Sequence, residues 1–362
     1  MKKEIAPHLP YWSIIIPIIT GIFFLIKPST MSFLFILVLS AGLIGTILAA
    51  VHHAEVVALK VGEPMGTLVL AIAITVIEVA LIVSLMLAGG QGAEFLARDT
   101  IFATEMIILN GIVGGCLLIG GIKFKEQIYG LDGVSAALTV LTAISVVTLI
   151  LPNYTTSIKG PIYNNEQLFF VSIVSLILYG AFLLMQTVKH RDYFLPSNAS
   201  EQEEVHEVAP TNLVSYVSLF LLIITLLLVV LVAKTLSPSI ENGIDALGAP
   251  KSVVGIVIAS VVLLPEALSA FKAAKANRLQ SSLNLAFGSA LASIGLTIPA
   301  VAAVCILFDL DLTLGIDLKS TVLFILSLFI VSLSLRTGKT TMTQGVVLLV
   351  IFLVYLFITI VP

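Results

Sequence analysis

Two glutamates lie inside otherwise apolar stretches of the sequence, where an ionisable side chain is rare. Glu78 stands in LVLAIAITVIEVALIVSLML, and Glu266 stands in VVGIVIASVVLLPEALSAF. A charge within a membrane span costs free energy, and it therefore usually faces a cavity or a partner. Carboxylates in such a setting bind cations or protons, so this pair predicts an ion-binding site. The structural alternative is a protonated acid that only hydrogen-bonds one helix to another.

Uncharged oxygens accompany both acids at helical spacing. Thr75 precedes Glu78 by one helical turn, and Pro265 removes the amide that would donate to the carbonyl of Val261, which becomes available as an oxygen ligand. The proline kink alternatively shapes packing alone, and helical serines often bond only to their own backbone. The further oxygen-bearing candidates on the apolar runs are Glu105, Asn110, Ser260, Asn284, Ser289 and Ser293.

This oxygen chemistry predicts a site for a hard cation. Carboxylate, hydroxyl, amide and carbonyl oxygens are the ligands of Ca²⁺, and they serve Na⁺ or K⁺ as well, so the donor types leave these three ions open. Glu78 and Glu266 are the predicted metal ligands. If the site can turn from one face of the membrane to the other only when a metal cation or protons compensate its charge, the metal cation and the protons must exchange. This predicts calcium/proton antiport. No resident cofactor is expected.

The elements that must position these residues are membrane-spanning helices. The chain has 59% hydrophobic and 11% charged residues and a mean hydropathy of +1.14, whereas soluble domains carry about 25% charged residues. Its recurrent apolar runs exclude a soluble protein and are too long for single strands of an outer-membrane barrel. Eleven helical spans are predicted, at approximately 11–26, 31–51, 66–88, 101–122, 131–151, 167–188, 212–235, 250–272, 281–307, 319–335 and 342–361.

The order of the spans predicts an all-α polytopic protein with two inverted repeats. An N-terminal helix (1–29) precedes five helices in 30–190, an acidic linker (191–211) and five helices in 212–362. A repeat with an odd number of helices enters the membrane from opposite sides in its two copies. The predicted architecture is therefore one extra helix plus two inverted five-helix repeats.

Two echoes between the halves support this repeat. Glu78 follows Pro64 by 14 residues, and Glu266 follows Pro250 by 16 residues. The next span in each half, TEMIILNGIVGGCLLIGG or NLAFGSALASIGLTIPA, is rich in the small residues that let helices approach closely in lipid.

Charge distribution predicts the orientation. Most of the 18 Lys and Arg residues fall on one side if the N-terminus is cytoplasmic, which places the linker in the cytoplasm and the C-terminus outside. We expect a bacterial inner membrane, with the lipid bilayer, inorganic cations and protons as partners. Nothing in the sequence indicates nucleic-acid binding, and the oligomeric state is not predicted.

A group of titratable residues stands near the cytoplasmic end of the second span. His52 and His53 are followed by Glu55. Because histidine titrates near neutral pH, these residues are candidates for regulation by pH. The alternative is an ordinary solvated helix end.

The quoted stretches also resemble a known family. HHAEVVALKVGEPMGTLVLAIAITVIEVALIVSLM and LLPEALSAFKAAKANRLQSSLNLAFGSALASIGLTIPAV are similar to the calcium/cation antiporter superfamily, in particular to bacterial cation/proton exchangers of the ChaA type. The resemblance covers residues 30 to 362 and implies calcium/proton exchange, with sodium or potassium/proton exchange as the alternative. It places the family's functional carboxylates on Glu78 and Glu266. Many relatives carry Gly-Asn at the positions occupied here by Ile74-Thr75 and Val262-Leu263, so the ion selectivity stays open.

Two other classes of membrane protein receive less support. An ion channel normally needs a filter built from symmetric rings or re-entrant loops, and a membrane-embedded metalloenzyme needs a dense ligand motif such as His-Glu-x-x-His. The sequence contains no evident form of either feature. A transporter rather than an enzyme is expected.

Overall fold

The computed structural model describes residues 9–26, 28, 32–62, 65–88, 92–195, 210–246, 248 and 250–361. Most of the predicted linker (191–211), and also Pro64, lie outside these residues. The described chain is almost entirely helical. Its elements are α1 (Tyr11–Ile26), α2 (Phe33–Val61), α3 (Met65–Ala88), α4 (Leu96–Met106), α5 (Val113–Phe124), β1 (Gln127–Ile128), α6 (Leu131–Ser145), α7 (Asn165–Leu184), α8 (Asn212–Ala246), α9 (Ser252–Val262), α10 (Leu264–Lys275), α11 (Leu279–Ala292), α12 (Ile298–Phe308), α13 (Leu318–Ser334), β2 (Lys339–Thr340) and α14 (Met342–Ile360).

Each predicted span coincides with a helix or a consecutive helix pair, which confirms the all-α membrane fold. Among the described residues, eight helical segments are long and apolar enough to cross a membrane, and α9 with α10 makes a ninth if the bent pair is one span. The remaining apolar helices, α1 and α13, have 16 and 17 residues. At about 1.5 Å per residue they are shorter than the roughly 30 Å of hydrocarbon. The count of eleven spans therefore stays a prediction.

The described helices divide into two compact units. The first comprises Met1–Ala93 and Val205–Gly248, in which α2 packs against α1, α3 and α8. The second comprises Glu94–Glu204 and Ala249–Pro362 and contains the other ten described helices and the antiparallel β1–β2 pair. Each unit combines helices from both predicted repeats, so contact units and sequence repeats divide the chain differently. The predicted domain boundaries are not tested by this division.

Capping side chains explain where several helices begin. Ser32 precedes α2 and its Oγ accepts from the amide of Phe35, while Asp317 precedes α13 and accepts from the amide of Ser320. Asn164 begins α7 with a capping box. These side chains satisfy amides that have no partner within the first helical turn.

In the second unit, small residues let α5 and α14 approach closely. A Cβ added to Gly114 would lie 2.9 Å from the Cβ of Leu348, and a Cβ added to Gly345 would lie 2.7 Å from the carbonyl oxygen of Gly114. Only glycine fits at both positions without a shift. The glycines of the fourth predicted span thus allow the close packing expected of them.

Short π-helical segments interrupt several spans. Ile107–Ile112 separates α4 from α5, and Ser293–Thr297 separates α11 from α12. Within the first segment the amide of Val113 donates to the carbonyl of Ile108, five residues earlier instead of four. These two segments lie in the small-residue spans that the sequence matched between its halves. Segments of this kind are frequent at functional sites.

Candidate functional site

Glu266 lies in the first turn of α10, directly after a break in the eighth predicted span. Helix α9 ends at Val262 and α10 begins at Leu264, with a bend of 56° between them. Because Pro265 has no amide hydrogen, the carbonyl of Val261 lacks its usual helical donor, as the sequence predicts. The side chain of Glu266 is only 7% exposed. The amides of a helix N-terminus favour a negative group, so the break places this carboxylate where its charge is stabilised.

A helical hairpin determines which residues lie at the depth of Glu266. The hydroxyl of Ser282 in α11 donates to the carbonyl of Ala270 in α10 at 2.8 Å. Both helices rise equally per residue, and Glu266 lies four residues before Ala270. In the antiparallel hairpin it is therefore level with position 286, four residues after Ser282 and within one turn of Ser289. Ser289 is half-buried, and Ser293 is buried where the π-helical segment starts. Ser289 thus lies within one helical turn of the depth of Glu266 in the second unit.

Asn110 is fully buried in the π-helical segment Ile107–Ile112. Its Nδ2 donates to the hydroxyl of Ser327 in α13 at 2.9 Å and to the carbonyl of Met106 at 3.4 Å. Its Oδ1 is buried and has no hydrogen-bond partner among the described residues. Helix α10, which carries Glu266, contacts this same segment. Glu105, at the end of α4, is also fully buried.

Glu78 lies near the middle of α3 in the first unit, and only 2% of its side chain is exposed. Helix α3 runs through this position without the break found before Glu266. Thr75, one turn earlier, has a buried hydroxyl with no hydrogen-bond partner among the described residues. By contrast, Thr46 and Thr225 donate to the carbonyl four residues earlier. The hydroxyl of Thr75 is therefore a buried oxygen not used by its own helix.

The two histidines lie inside the first unit, against α1. The Nε2 of His53 is 3.2 Å from the carbonyl oxygen of Ser13, and because that oxygen only accepts, Nε2 carries the hydrogen. Pro17 explains why the carbonyl of Ser13 accepts from a side chain, since a proline four residues later supplies no amide. The ring of His52 lies 5.6 Å from that of Trp12. His53 is fully buried, so the interpretation as a solvated helix end is wrong for this residue.

The remaining predicted site residues differ in exposure and in their hydrogen bonds. Ser260 and Glu55 are exposed, and Val261 is half-buried. Asn284 lies within one turn of the depth of Glu266, but its amide is engaged: its Nδ2 donates to the carbonyl of Phe194 at 2.7 Å, and its Oδ1 accepts from Gln280 at 2.9 Å. The amide of Asn284 is therefore already engaged and the side chain of Ser260 is exposed, whereas the carbonyl of Val261, at the break before Glu266, stays a candidate ligand.

Sequence reasoning missed Ser327, which holds the amide of Asn110. No local signal distinguishes Ser327 from the other serines in the apolar run of α13. The described residues contain no group of three or more His, Cys, Asp and Glu side chains suited to hold a metal ion. They do offer buried carboxylates, Glu78 in the first unit and Glu105 and Glu266 in the second, together with neutral oxygens.

Comparison with known proteins identifies the relatives of this chain. Residues 31–188 and 217–361 match the profile of the sodium/calcium exchanger protein family. The y4hA protein of Sinorhizobium fredii is 45% identical over 365 residues, which cover 99% of this chain and 98% of that protein. The sodium-potassium/proton antiporter ChaA of Escherichia coli is 34% identical over 317 residues, covering 87% and 86% of the two chains.

A solved structure supports the fold independently. Native YfkE, a Ca²⁺/H⁺ antiporter, superposes with a TM-score of 0.73 at 16% identity, covering 97% of this chain and 99% of that one. At this identity the match shows the fold alone. Together the matches confirm the resemblance to cation/proton exchangers drawn from the sequence, and these relatives are ion exchangers, not enzymes.

Proposed function

The chain belongs to the sodium/calcium exchanger protein family, and from this premise we propose that it exchanges calcium ions for protons across the membrane. Membership makes it a membrane transport protein with cation substrates. The specific ion and the residues that carry it belong to the proposal. Glu78 and Glu266 are its two ion- and proton-binding carboxylates.

The observation that carries the proposal is the position of Glu266. It is buried within a predicted membrane span, in the first turn of a half-helix that begins at a 56° break. Broken helices with exposed backbone groups and helix ends are a common way for transporters to bind substrates near the midplane. Neutral oxygens are available from Val261, Ser289, Ser293 and Asn110, and Thr75 serves Glu78 in the same way.

Exchange follows from the cost of moving an uncompensated charge. A buried carboxylate accepts either a proton or a metal cation, and either one removes its charge. If about 4 kcal/mol opposes reorientation of the bare site, only about one turn in a thousand occurs without a passenger. Calcium entering the site therefore displaces protons, and alternating access carries the two in opposite directions.

The finer architecture is part of the same proposal. We infer eleven spans: one N-terminal helix and two inverted five-helix repeats joined by an acidic cytoplasmic linker. The π-helical segments Ile107–Ile112 and Ser293–Thr297, at matched places in the two halves, support this symmetry. We also infer a bacterial inner membrane location with a cytoplasmic N-terminus and an external C-terminus. We further propose that His52, His53 and Glu55 regulate the exchange in response to pH.

Exchange of sodium or potassium for protons is the second candidate. The relative that favours it is ChaA of Escherichia coli, a sodium-potassium/proton antiporter 34% identical to this chain. Carboxylate, hydroxyl and amide oxygens bind all three cations. The two candidates share one mechanism and differ in the ion that competes with the protons.

Glutamine substitutions test the role of the two acids. In vesicles, Glu78→Gln and Glu266→Gln should each abolish exchange, because glutamine keeps the shape and loses the charge. Glu126→Gln, at an exposed loop position, is the matched control and should exchange normally. All three proteins should insert and melt like the wild type. Proton-coupled calcium uptake retained by Glu78→Gln or by Glu266→Gln would contradict the proposal.

A further inference from the structure

A buried polar pair joins the π-helical segment Ile107–Ile112 to α13 in the second unit. Nδ2 of Asn110 donates to Oγ of Ser327 at 2.9 Å, and both side chains have no exposed surface. We propose that Ser327 is a positioning residue for ion exchange: it fixes the amide of Asn110 so that the amide oxygen is presented to the transported cation. This inference rests on the proposed function, in which Asn110 is an oxygen ligand.

The hydrogen bonds around Ser327 determine which way the amide faces. The hydroxyl of Ser327 donates its only hydrogen to the carbonyl of Leu323 at 2.8 Å. The hydroxyl oxygen of Ser327 then has only lone pairs left, so it can only accept a hydrogen bond from Asn110. The atom of the Asn110 amide that faces Ser327 is therefore the nitrogen. The carbonyl and the sulfur of Met106, at 3.4 and 3.7 Å from the same nitrogen, are also acceptors. Of the two hydrogens on Nδ2, one is therefore donated to Ser327, and the other faces the two weaker acceptors of Met106.

The orientation leaves the amide oxygen available. Oδ1 of Asn110 is buried and has no hydrogen-bond partner among the described residues. A buried acceptor without a partner costs free energy, and such a group in a folded protein calls for an explanation. Amide oxygen is a ligand for hard cations, so a passing cation supplies the missing partner.

The location of this oxygen fits the explanation. Asn110 lies in a π-helical segment, where the extra residue per turn changes the direction of its side chain relative to the preceding helix. Helix α10, which begins next to Glu266, contacts this segment within the same unit. A pair that served packing alone would gain more from two apolar side chains than from an amide satisfied on one side only.

The neighbouring serine of the same helix provides a matched control. Ser332 makes the same bond to its own helix, to the carbonyl of Leu328 at 2.7 Å, but its side chain is exposed. Ser332→Ala therefore removes an equivalent hydroxyl without touching Asn110. Ser327→Ala removes the acceptor of the amide, and Ser327→Thr retains it.

The test measures calcium dissociation constants on the purified protein and half-saturating calcium in vesicles. Ser327→Ala should weaken calcium binding about fivefold, the equivalent of one hydrogen bond, with little change in the maximal rate. Ser327→Thr should restore most of the affinity, and Ser332→Ala should bind like the wild type. Asn110→Ala should weaken binding at least as much as Ser327→Ala.

The contrary outcomes separate this inference from the proposed function. If the wild type exchanges calcium for protons but Ser327→Ala and Ser332→Ala bind calcium equally well, the positioning role of Ser327 is overturned and the proposed function is not. A lower melting temperature of Ser327→Ala with unchanged affinity would assign Ser327 to packing. Absence of any cation/proton exchange by the wild type would overturn the proposed function and this inference together.

Discussion

Replacing Gly345 with alanine tests the close contact between α5 and α14. The added Cβ would lie 2.7 Å from the carbonyl oxygen of Gly114 and 2.8 Å from the Cα of Leu118, and both are backbone atoms that cannot rotate away. Ordinary contact begins at 3.4 Å and the backbone nitrogen of Leu118 is closer still, so the helices must separate by at least about 0.7 Å. Overpacking of this kind costs up to about 3 kcal/mol. Because alanine favours a helix by about 1 kcal/mol over glycine, the net loss is about 2 kcal/mol.

The assay is thermal unfolding in detergent, followed by helical circular dichroism. A loss of about 2 kcal/mol corresponds to a melting temperature about 4–8 °C lower for a unit of this size. The control is Gly180→Ala in α7, where an added Cβ meets nothing within 4 Å. That variant should melt at or slightly above the wild-type temperature, because alanine is the better helix former. Gly345→Ala melting as high as Gly180→Ala would refute the account of this helix contact.

Three further substitutions test individual parts of the site. Thr75→Val removes a buried hydroxyl that has no partner among the described residues, so the protein should be at least as stable while calcium binding weakens. His53→Leu leaves the carbonyl of Ser13 without this donor and should cost about 1–3 kcal/mol, seen as a lower melting temperature. Pro265→Ala restores an amide donor to the carbonyl of Val261 and should weaken calcium binding, measured by calorimetry.

Matched variants distinguish these effects from general damage. Thr75→Ser keeps the hydroxyl and should bind calcium like the wild type. His53→Gln retains a side-chain donor and should recover part of the lost stability. Pro238→Ala, in α8, replaces a helical proline that precedes neither Glu78 nor Glu266 in its helix and should leave calcium affinity unchanged. If Pro238→Ala weakens calcium binding as much as Pro265→Ala does, the carbonyl of Val261 is not a calcium ligand.

Local patterns in the sequence were sufficient for the helices and for the break before Glu266. An apolar run long enough to span a membrane is visible residue by residue, and proline interrupts a helix for reasons contained in its own ring. The burial of Glu78 and Glu266 follows from the same runs. These features need no knowledge of what packs against what.

Features that depend on neighbours in space were out of reach. The hydrogen bond from Asn110 to Ser327 joins residues 217 positions apart. Asn284 looked like a site residue because it precedes a small-residue stripe, yet its amide binds the carbonyl of Phe194. The hydrogen bond of the buried His53 to Ser13 similarly involves Pro17, whose missing amide leaves that carbonyl for the imidazole. Each of these outcomes was decided by a partner distant in the chain.

The most direct test of the central claim is proton movement driven by a cation gradient. Purified protein in sealed vesicles, with no initial pH difference, is given external calcium, sodium or potassium in turn while a trapped dye reports internal pH. Calcium/proton exchange predicts that calcium enters and the vesicle interior becomes alkaline as protons leave, and that Glu266→Gln abolishes both movements. Calcium entry without a pH change, or with no dependence on Glu266, would contradict the account.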